Sequence, residues 1–312
     1  MPWKQGYTIS NETTLADSDL RWPDGNRLCF GITVDLSVAR GPDGIRVADI
    51  QRPDAFFALN DGLEQVLLVL RKHGFLATFA VPAVMARIYA PILRQLAAEG
   101  HEIAASGFRH EDVSTLGRED EAARIAATTE ILTEAIGRRP DGWYSMPRQG
   151  DPFAGGTISP NTIDLLIDAG YAWFGNGLAD DIPYYWVTDF ATERAMLALP
   201  YYYHFDDQFF LMFPPKGTGL EHADSLFRNW RAEFDAQYKR GRHFSMTLHP
   251  QGSGWCNRAE VLDRFLTHAR GFPGLWNPTG TECARYWQQT YPAGTYLALE
   301  PSIWVDYPGS MS

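Results

Sequence analysis

The chain has 312 residues, with 27 basic and 38 acidic side chains and a formal net charge of −11. Its 45% hydrophobic and 21% charged content is ordinary for a globular protein, and its length is enough for one or two domains with a large core. The acidic balance argues against nucleic acid as a partner, because phosphate backbones are bound by positive charge. Aromatic residues make up 13% of the chain, which fits either core packing or an aromatic-lined pocket.

The cysteines and the N-terminus predict a cellular location. The three cysteines, Cys29, Cys256 and Cys283, are an odd number without paired spacing, which is typical of a reducing compartment and not of a disulfide scaffold or a zinc knuckle. No apolar run serves as a secretion signal, and none reaches the roughly 18 residues that a membrane span requires. We therefore expect a cytoplasmic protein with no membrane partner and a single domain over residues 1–312.

Short apolar runs alternate with helix-length amphipathic segments along the chain, with turn residues between them. This alternation predicts an α/β fold with a parallel sheet, either open or closed into a barrel. In both architectures the functional site lies at the carboxyl ends of the strands. The predicted strands are 28–34, 77–81, 102–105, 142–146, 172–175, 209–213, 244–248 and 275–278, and the predicted helices are 54–73, 89–99, 118–136, 160–169, 223–240, 258–269 and 280–291.

Groups able to move protons follow several of these predicted strands. Asp35 follows the strand 28–34, His249 follows the strand 244–248, and His110 lies just beyond the end of the strand 102–105. A carboxylate and an imidazole that face one pocket are the minimum for general acid and base catalysis. The alternative is an Asp35 that caps a turn and histidines that are satisfied in the core. A phosphate-binding loop and a dinucleotide fingerprint are both absent from the sequence.

The strand-end segments resemble the polysaccharide deacetylase family, also called the chitooligosaccharide deacetylase homology domain. They are TVDLS (33–37), SGFRHE (106–111), GWYSMP (142–147), DDIPY (180–184), LHP (248–250) and the tail EPSIWVDYPG (300–309). Each motif is short, and their order and spacing over nearly the whole chain carry the resemblance. The similarity is greatest to a branch with allantoinase-like, cyclic imide hydrolase-like and peptidoglycan deacetylase-like members. It implies a deformed (β/α)7 barrel with parallel strands, an N-terminal lead segment (about 1–27), a C-terminal tail (about 292–312) and a homo-oligomer, a dimer or tetramer.

The resemblance also implies where a metal ion would bind, and the sequence departs from that pattern. In metal-dependent family members, the first aspartate of the first motif is the base, and a second aspartate and two histidines bind the ion. Here the base position is Asp35, but two of the three ligand positions are Ser37 and Ser106, and only His110 remains. Since a catalytic zinc needs about three protein ligands, we expect no metal and no other cofactor.

A small, electrophilic substrate suits such a site better than the acetamide of a sugar. The expected function is therefore a hydrolase of non-peptide C–N bonds that opens a small cyclic amide, imide or ureide by metal-independent acid and base catalysis. The catalytic residues are then Asp35 or His110, which activates water, and His249, which protonates the leaving nitrogen. The candidate substrate-binding residues are Ser37, Ser106, Trp143, Tyr144, Arg148, Tyr184, His204 and Trp304.

Two further readings of the sequence stay open. One is a metal-dependent N-deacetylase of an amino sugar. The other is a barrel that has moved to non-hydrolytic chemistry, such as an isomerase or lyase, or to ligand binding alone.

Overall fold

The computed structural model describes residues 8–9, 15–148, 151, 156–189, 192–211 and 222–296. In this part of the chain, most of the strands alternate with helices, as the sequence predicts. The strands are β1 (Thr8–Ile9), β2 (Leu28–Asp35), β3 (Thr78–Val81), β4 (Glu102–Ala105), β5 (Gly142–Trp143), β6 (Trp173–Gly177), β7 (Tyr184–Asp189), β8 (Arg194–Pro200), β9 (His243–Leu248) and β10 (Leu275–Trp276).

Helices connect most of these strands. They are α1 (Val47–Ile50), α2 (Pro53–Phe57), α3 (Leu63–His73), α4 (Ala83–Ala98), α5 (Arg118–Ile136), α6 (Thr162–Asp168), α7 (Asp207–Leu211), α8 (Ala223–Arg240), α9 (Pro250–Ser253), α10 (Cys256–Arg270), α11 (Gly280–Thr290) and α12 (Ala293–Tyr296). Short 3₁₀ turns form at Pro23–Gly25 and Tyr203–Phe205, and a π-helical turn at Ala58–Gly62 separates α2 from α3.

The sheet is mostly parallel. In the described part of the chain, β9, β2, β3, β4, β5, β6 and β8 pair in this order, each parallel to the next. β10 is parallel to the start of β2, whereas β7 is antiparallel to β8, and β1 is antiparallel to β7. A single parallel bridge between Asp206 and Thr247 links the segment after β8 to β9. The predicted α/β class is confirmed.

The two faces of β2 have different surroundings, because successive side chains of a strand point to opposite sides. Phe30 and its alternate neighbours belong to the larger core, where Phe30 packs against Phe244 of β9 and Phe265 of α10. The opposite face, which we call the inner face, carries Cys29, Thr33 and Asp35. Cys29 lies in a second core cluster with inward residues of the other strands, and Thr33 bonds to Tyr144 of that cluster.

One predicted strand is wrong. Residues 209–213 are apolar and were expected to form a strand, but Asp207–Leu211 is helix α7, and residues 212–213 lie outside the described residues. The cause is local: the carboxylate of Asp206 accepts a hydrogen bond from the backbone N–H of Gln208, and such a bond starts a helical turn. In chain order, the sixth strand of the parallel part of the sheet is instead β8, which the sequence analysis did not identify.

The predicted helix 54–73 is interrupted at its π-helical turn, and the interruption positions the segment after β9. A Cβ on Gly62 would lie 2.6 Å from the backbone oxygen of Pro250, and one on Gly254 would lie 2.4 Å from the Cα of Gly62. Two glycines therefore let the turn approach α9 closely. The predicted helices 118–136 and 223–240 have the observed bounds of α5 and α8.

The predicted lead segment and tail are only partly among the described residues. The predicted tail lies mostly beyond residue 296, so Trp304 is outside the described residues. In the lead segment, Trp22 is buried and packs against Trp276 and Trp287. Among the helices that the structure describes, none has both the length and the apolar character needed to cross a bilayer.

Candidate active site

Asp35 and His249 come together at the carboxyl ends of two neighbouring strands. The pairing of Val34 with Leu248 brings the last residue of β2 beside the first residue after β9. Oδ2 of Asp35 lies 3.4 Å from Nε2 of His249, and both side chains are buried. The other carboxylate oxygen, Oδ1, accepts a hydrogen bond from the backbone N–H of Ser37 at 2.8 Å. The two residues predicted as base and acid therefore face each other.

Two further carboxylates hold the other side of the His249 ring. Nδ1 of His249 lies 2.8 Å from Oδ1 of Asp207 and 3.3 Å from Oδ1 of Asp206. Asp207 also accepts hydrogen bonds from the backbone N–H of His249 and the hydroxyl of Ser253. This arrangement fixes Nε2 on the side of Asp35, because the carboxylate partner of one ring nitrogen sets the orientation of the other.

The charges at the site follow from these contacts. Burial alone would lower the pKa of His249, but Asp206, the hydrogen bond with Asp207 and the neighbouring Asp35 together raise it well above the ordinary value. Burial opposes ionisation of Asp35, yet His249 and His110 hold its pKa below 3.8. Burial, with the charge of Asp207 adding to it, raises the pKa of Asp206 to about 6. At neutral pH the pair is therefore an ionised Asp35 and a protonated His249.

His110 is fully engaged by the protein. Nε2 of His110 is 2.6 Å from the carbonyl oxygen of Met146, so this nitrogen must carry the hydrogen. Nδ1 is 2.5 Å from the hydroxyl of Ser37, and burial lowers the pKa of the ring. The neutral ring therefore accepts the Ser37 hydrogen at Nδ1. This geometry favours Asp35 over His110 as the base. The Ser37 hydroxyl was expected to contact substrate, but it points to His110.

The backbone at His110 is also unusual. Its φ angle is 58°, in the left-handed region that non-glycine residues rarely adopt. The loop reaches this position after Gly107, whose φ is 74°. Such a conformation costs free energy and persists where the surroundings determine it. Here the two ring contacts of His110 and the bond from Arg148 Nη1 to its carbonyl oxygen do so.

Ser106 differs from Ser37. Its hydroxyl is buried and has no hydrogen-bond partner among the described residues. It lines a cavity of about 30 Å³ together with His110, Trp143 and Tyr144. Nε2 of His249 is likewise buried without a hydrogen bond of good geometry. Buried polar atoms are nearly always paired, so each of these two atoms is available to a partner that a substrate would supply.

The predicted aromatic pocket residues lie mainly in the core. The hydroxyl of Tyr144 bonds to Thr33, and burial raises the pKa of Tyr144. Trp143 packs edge-on against Tyr171. Tyr184 accepts hydrogen bonds from the backbone of the turn after β6. Of these rings, Trp143 and Tyr144 contact the cavity beside Ser106.

Two other predicted site residues have different surroundings. Arg148 is buried and pairs with Asp151 at 2.8 Å, with a further bond to Thr157. It therefore supports the loop of His110, although the sequence analysis placed it among the substrate-binding residues. His204 is exposed, and its ring contacts are with the neighbouring Tyr202, Tyr203 and Phe205.

The sequence analysis missed Asp206 and Asp207. Both lie in the polar and aromatic segment from which only His204 was selected. Two consecutive aspartates before an apolar run are a signal for a helix start, and this reading would have placed a turn at the sheet edge. Their contact with His249 depends on the bridge between Asp206 and Thr247, which the sequence does not reveal.

The sequence of this chain is similar to those of several known proteins. Residues 52–173 match the sequence model of the polysaccharide deacetylase family. The family resemblance predicted from the sequence is confirmed. The peptidoglycan deacetylase of Helicobacter pylori (strain ATCC 700392 / 26695) is 23% identical over 76% of this chain and 86% of its own length. The chitooligosaccharide deacetylase of Sinorhizobium fredii is 34% identical over 27% of this chain and 41% of its own length.

Solved structures show the same fold. Puue allantoinase superposes with a TM-score of 0.75 at 21% identity and covers 90% of this chain and 95% of its own. A probable polysaccharide deacetylase from Pseudomonas aeruginosa PAO1 superposes with a TM-score of 0.74 at 22% identity, over 90% of this chain and 96% of its own. These similarities confirm the predicted fold class. Taken with the family match, they support a hydrolase of C–N bonds of the polysaccharide deacetylase type.

The expectation of no cofactor is wrong. Polysaccharide deacetylases typically use a metal ion, and the described residues include two groups that could hold one. The first is Asp206, Asp207 and His249, a set of two carboxylates and one imidazole that suits a divalent cation. The prediction relied on Ser37 and Ser106 at the family ligand positions and did not consider ligands from the segment after β8.

Proposed function

We propose that this chain hydrolyses the C–N bond of a small cyclic amide, imide or ureide, with Asp35 and His249 as its base and acid. The observation that carries the proposal is the buried pair itself: the carboxylate of Asp35 lies 3.4 Å from the imidazole of His249, at the ends of adjacent strands. The lowered pKa of Asp35 and the raised pKa of His249 favour an ionised carboxylate and a protonated ring. Opposite protonation states of two neighbouring groups are what general base and general acid catalysis require.

The roles of the two residues follow from their contacts. Asp35 keeps Oδ2 on the side of His249 because the Ser37 N–H binds Oδ1, and Oδ2 takes the proton of the attacking water. Nε2 of His249 donates a proton to the leaving nitrogen, while Asp207 holds Nδ1 and keeps the ring in place. The Ser106 hydroxyl, which lacks a partner in the described part of the chain, donates to the oxygen of the attacked carbonyl.

The site also has ligands for a metal ion. Asp206, Asp207 and Nδ1 of His249 would hold it, and when bound it would polarise a carbonyl or a water as a Lewis acid. Such an ion would replace the hydrogen on Nδ1, so His249 would be neutral and its remaining hydrogen would lie on Nε2, toward Asp35.

The proposed substrate class is supported by one of the structural relatives. The structural similarity to an allantoinase agrees with a small substrate. The predicted homo-oligomer and cytoplasmic location stay predictions.

A metal-dependent N-deacetylase of an amino sugar is the second candidate. The observation that favours it is the sequence match to a peptidoglycan deacetylase over 76% of this chain, together with the Asp206–Asp207–His249 group.

Substrate and metal can be tested in one experiment. Purified protein, metal-depleted and then supplied with Zn²⁺, is assayed against hydantoins, cyclic imides and allantoin, and against N-acetylglucosamine oligomers. The proposal expects ring opening of at least one cyclic substrate, which is lost in Asp35→Asn and His249→Gln and retained in the matched controls Asp141→Asn and His73→Gln. Deacetylation of the sugar oligomers without ring opening would replace the proposal with the second candidate. Ring opening that persists in both site variants would place the catalytic residues elsewhere.

A further inference from the structure

The amino ends of β2 and β9 carry a second group of metal-ligating side chains. Cys29 is the second residue of β2, His243 is the first residue of β9, and Cys283 lies in the first turn of α11. All three are buried. Both Sγ atoms and one ring nitrogen of His243 lie within 4.8 Å of one another. Cys29 and Asp35 are separated by six residues of one strand, or about 20 Å, so this group is separate from the candidate active site.

The separation of the two sulfur atoms fits a shared metal ion. The Sγ atoms of Cys29 and Cys283 are 3.8 Å apart, which is much longer than the roughly 2.05 Å of a disulfide. Two thiolates bound to one zinc at about 2.3 Å in a tetrahedral site lie about 3.8 Å from each other. The pair therefore has the spacing of one edge of a zinc tetrahedron.

The histidine and a neighbouring cavity would supply the third and fourth ligands of the ion. Nδ1 of His243 is buried and has no hydrogen-bond partner in the part of the chain that the structure describes. Cys29, His243 and Cys283 also line a shared cavity of about 30 Å³. This volume holds one water molecule, and a water would supply the fourth ligand of a tetrahedral ion.

We propose that Cys29, His243 and Cys283 bind a Zn²⁺ ion at the amino ends of the strands. Two thiolates and an imidazole form a soft donor set that selects zinc over magnesium or calcium. The proposal does not depend on the proposed hydrolysis. It assigns a function to two of the three cysteines, which the sequence spacing did not suggest because they are 254 residues apart.

The ion would join three elements that are distant in sequence. The start of α11 already bonds to the strand ends, since Thr281 donates its N–H to Glu102 of β4 and Gly280 donates to Thr78 of β3. Cys283 lies in the same turn of the helix, two residues after Thr281. A metal bridge to Cys29 and His243 would therefore fasten α11 to β2 and β9 as well. Metal binding of this kind contributes to folding stability, because the unfolded chain lacks the assembled site.

Metal content and cobalt spectroscopy test the proposal on the full-length protein. Protein produced with added Zn²⁺ is compared with Cys29→Ser/Cys283→Ser and with the matched control Cys256→Ser, whose cysteine is exposed. We expect the double variant to hold one zinc per chain fewer than the wild type and the control. After exchange to Co²⁺, the wild type and control should show the near-ultraviolet absorption of thiolate bound to cobalt, and the double variant should not. This band excludes the Asp206–Asp207–His249 group as its source, because that group has no thiolate.

A single substitution, Cys283→Ala, tests the proposal if the double variant does not fold. Cys283→Ala leaves the bonds of Thr281 and Gly280 to the strand ends in place, and it should fold and lack the cobalt–thiolate band. Chelation should lower the Tm of the wild type and the control by several degrees more than that of Cys283→Ala. Equal zinc content in all variants, or a wild type without the cobalt–thiolate band, would show that the two cysteines are only a hydrogen-bonded thiol pair.

Discussion

The inner face of two adjacent strands, β2 and β9, carries chemistry at both of its ends. At the carboxyl end, Asp35 and His249 face each other, and carboxylates hold the far side of the imidazole. At the amino end, six residues earlier on each strand, Cys29 and His243 lie near a second cysteine from α11. Both ends therefore combine an imidazole with side chains that can lose a proton. These are three carboxylates at the carboxyl end and two thiols at the amino end.

The difference shows what separates a reactive site from a structural one. At the carboxyl end, Asp207 accepts three kinds of hydrogen bond, and the net charge of the carboxylates raises the pKa of His249. Nε2 of His249 faces Asp35 at 3.4 Å, without a hydrogen bond of good geometry among the described residues. At the amino end, helix α11 bonds to β3 and β4, and two of the three metal-ligating side chains are thiols. Changes at the carboxyl end should thus alter turnover, and changes at the amino end should alter stability.

The largest expected effect is that of Asp35→Asn. Removing the base should lower kcat by about 10²–10⁴-fold, because this is the usual contribution of general base catalysis. The buried volume is unchanged, so the far-ultraviolet circular dichroism should match that of the wild type. The measurement is steady-state kinetics with the substrate found by the ring-opening screen, and Asp141→Asn is the control. A loss of less than tenfold in kcat would remove Asp35 from the mechanism.

Asp207→Asn should have the next largest effect. An aspartate that holds Nδ1 of a catalytic imidazole keeps the ring oriented and stabilises its protonated form, so we expect a loss in kcat on the order of 10²-fold with little change in KM. Asp206→Asn is the matched comparison. Asp206 lies farther from Nδ1 and also accepts from Tyr201, so its loss should be smaller. Equal losses in the two variants would contradict a special role for Asp207 and favour joint metal binding.

Two serines at the carboxyl end allow a sharper comparison of catalysis with stability. Ser106→Ala removes a hydroxyl without a described partner, so the free energy of unfolding should stay within about 0.5 kcal/mol. Its kcat should fall about tenfold, the value of one hydrogen bond of about 1.4 kcal/mol. Ser37→Ala leaves Nδ1 of His110 and the N–H of Ala39 without their partner, and it should lower the free energy of unfolding by about 1–3 kcal/mol. Urea unfolding and kinetics of both variants are the test, and the reverse pattern would exchange the roles of the two serines.

Much of the fold was predictable because it depends on local patterns. Helix α5 begins and ends where its apolar spacing and Gly137 predict, since glycine adopts the left-handed cap conformation at φ 76°. β7 and β8 were not predicted, because their antiparallel pairing departs from the alternation of strand and helix. The apolar run after Asp206 was misread for the opposite reason, since its local capping bond outweighs its composition.

The site was predictable only in part. Asp35, His110 and His249 follow strands and could be found from strand ends alone. Asp206 and Asp207 could not, because their approach to His249 requires the register of the segment after β8 against β9. The direction of the Ser37 hydroxyl was also hidden, since it depends on the bond from His110 to Met146. Cys29 and Cys283 were read as unrelated cysteines because their proximity depends on where α11 docks.

The smallest expected effect lies at the amino ends of the strands, at His101, which precedes β4. Burial lowers the pKa of His101 below its ordinary value of 6.5, and Nδ1 accepts a hydrogen bond from the N–H of Ala77. The unfolded chain therefore binds this proton at higher pH than the folded chain does. The free energy of unfolding should thus fall as the pH drops below 6.5, with a slope of at most about 1.4 kcal/mol per pH unit for one proton.

Urea unfolding of the wild type and His101→Gln between pH 8 and pH 5 measures this contribution. Other groups titrate in both proteins, including Glu102, so the difference between the two curves isolates His101. The wild type should lose stability relative to the variant below pH 6.5, and kcat at neutral pH should be the same for both. Parallel curves would show that His101 titrates alike in the folded and unfolded chains. A loss of kcat in His101→Gln would contradict the separation of the two strand ends, because it would connect the amino end of the sheet to the reaction.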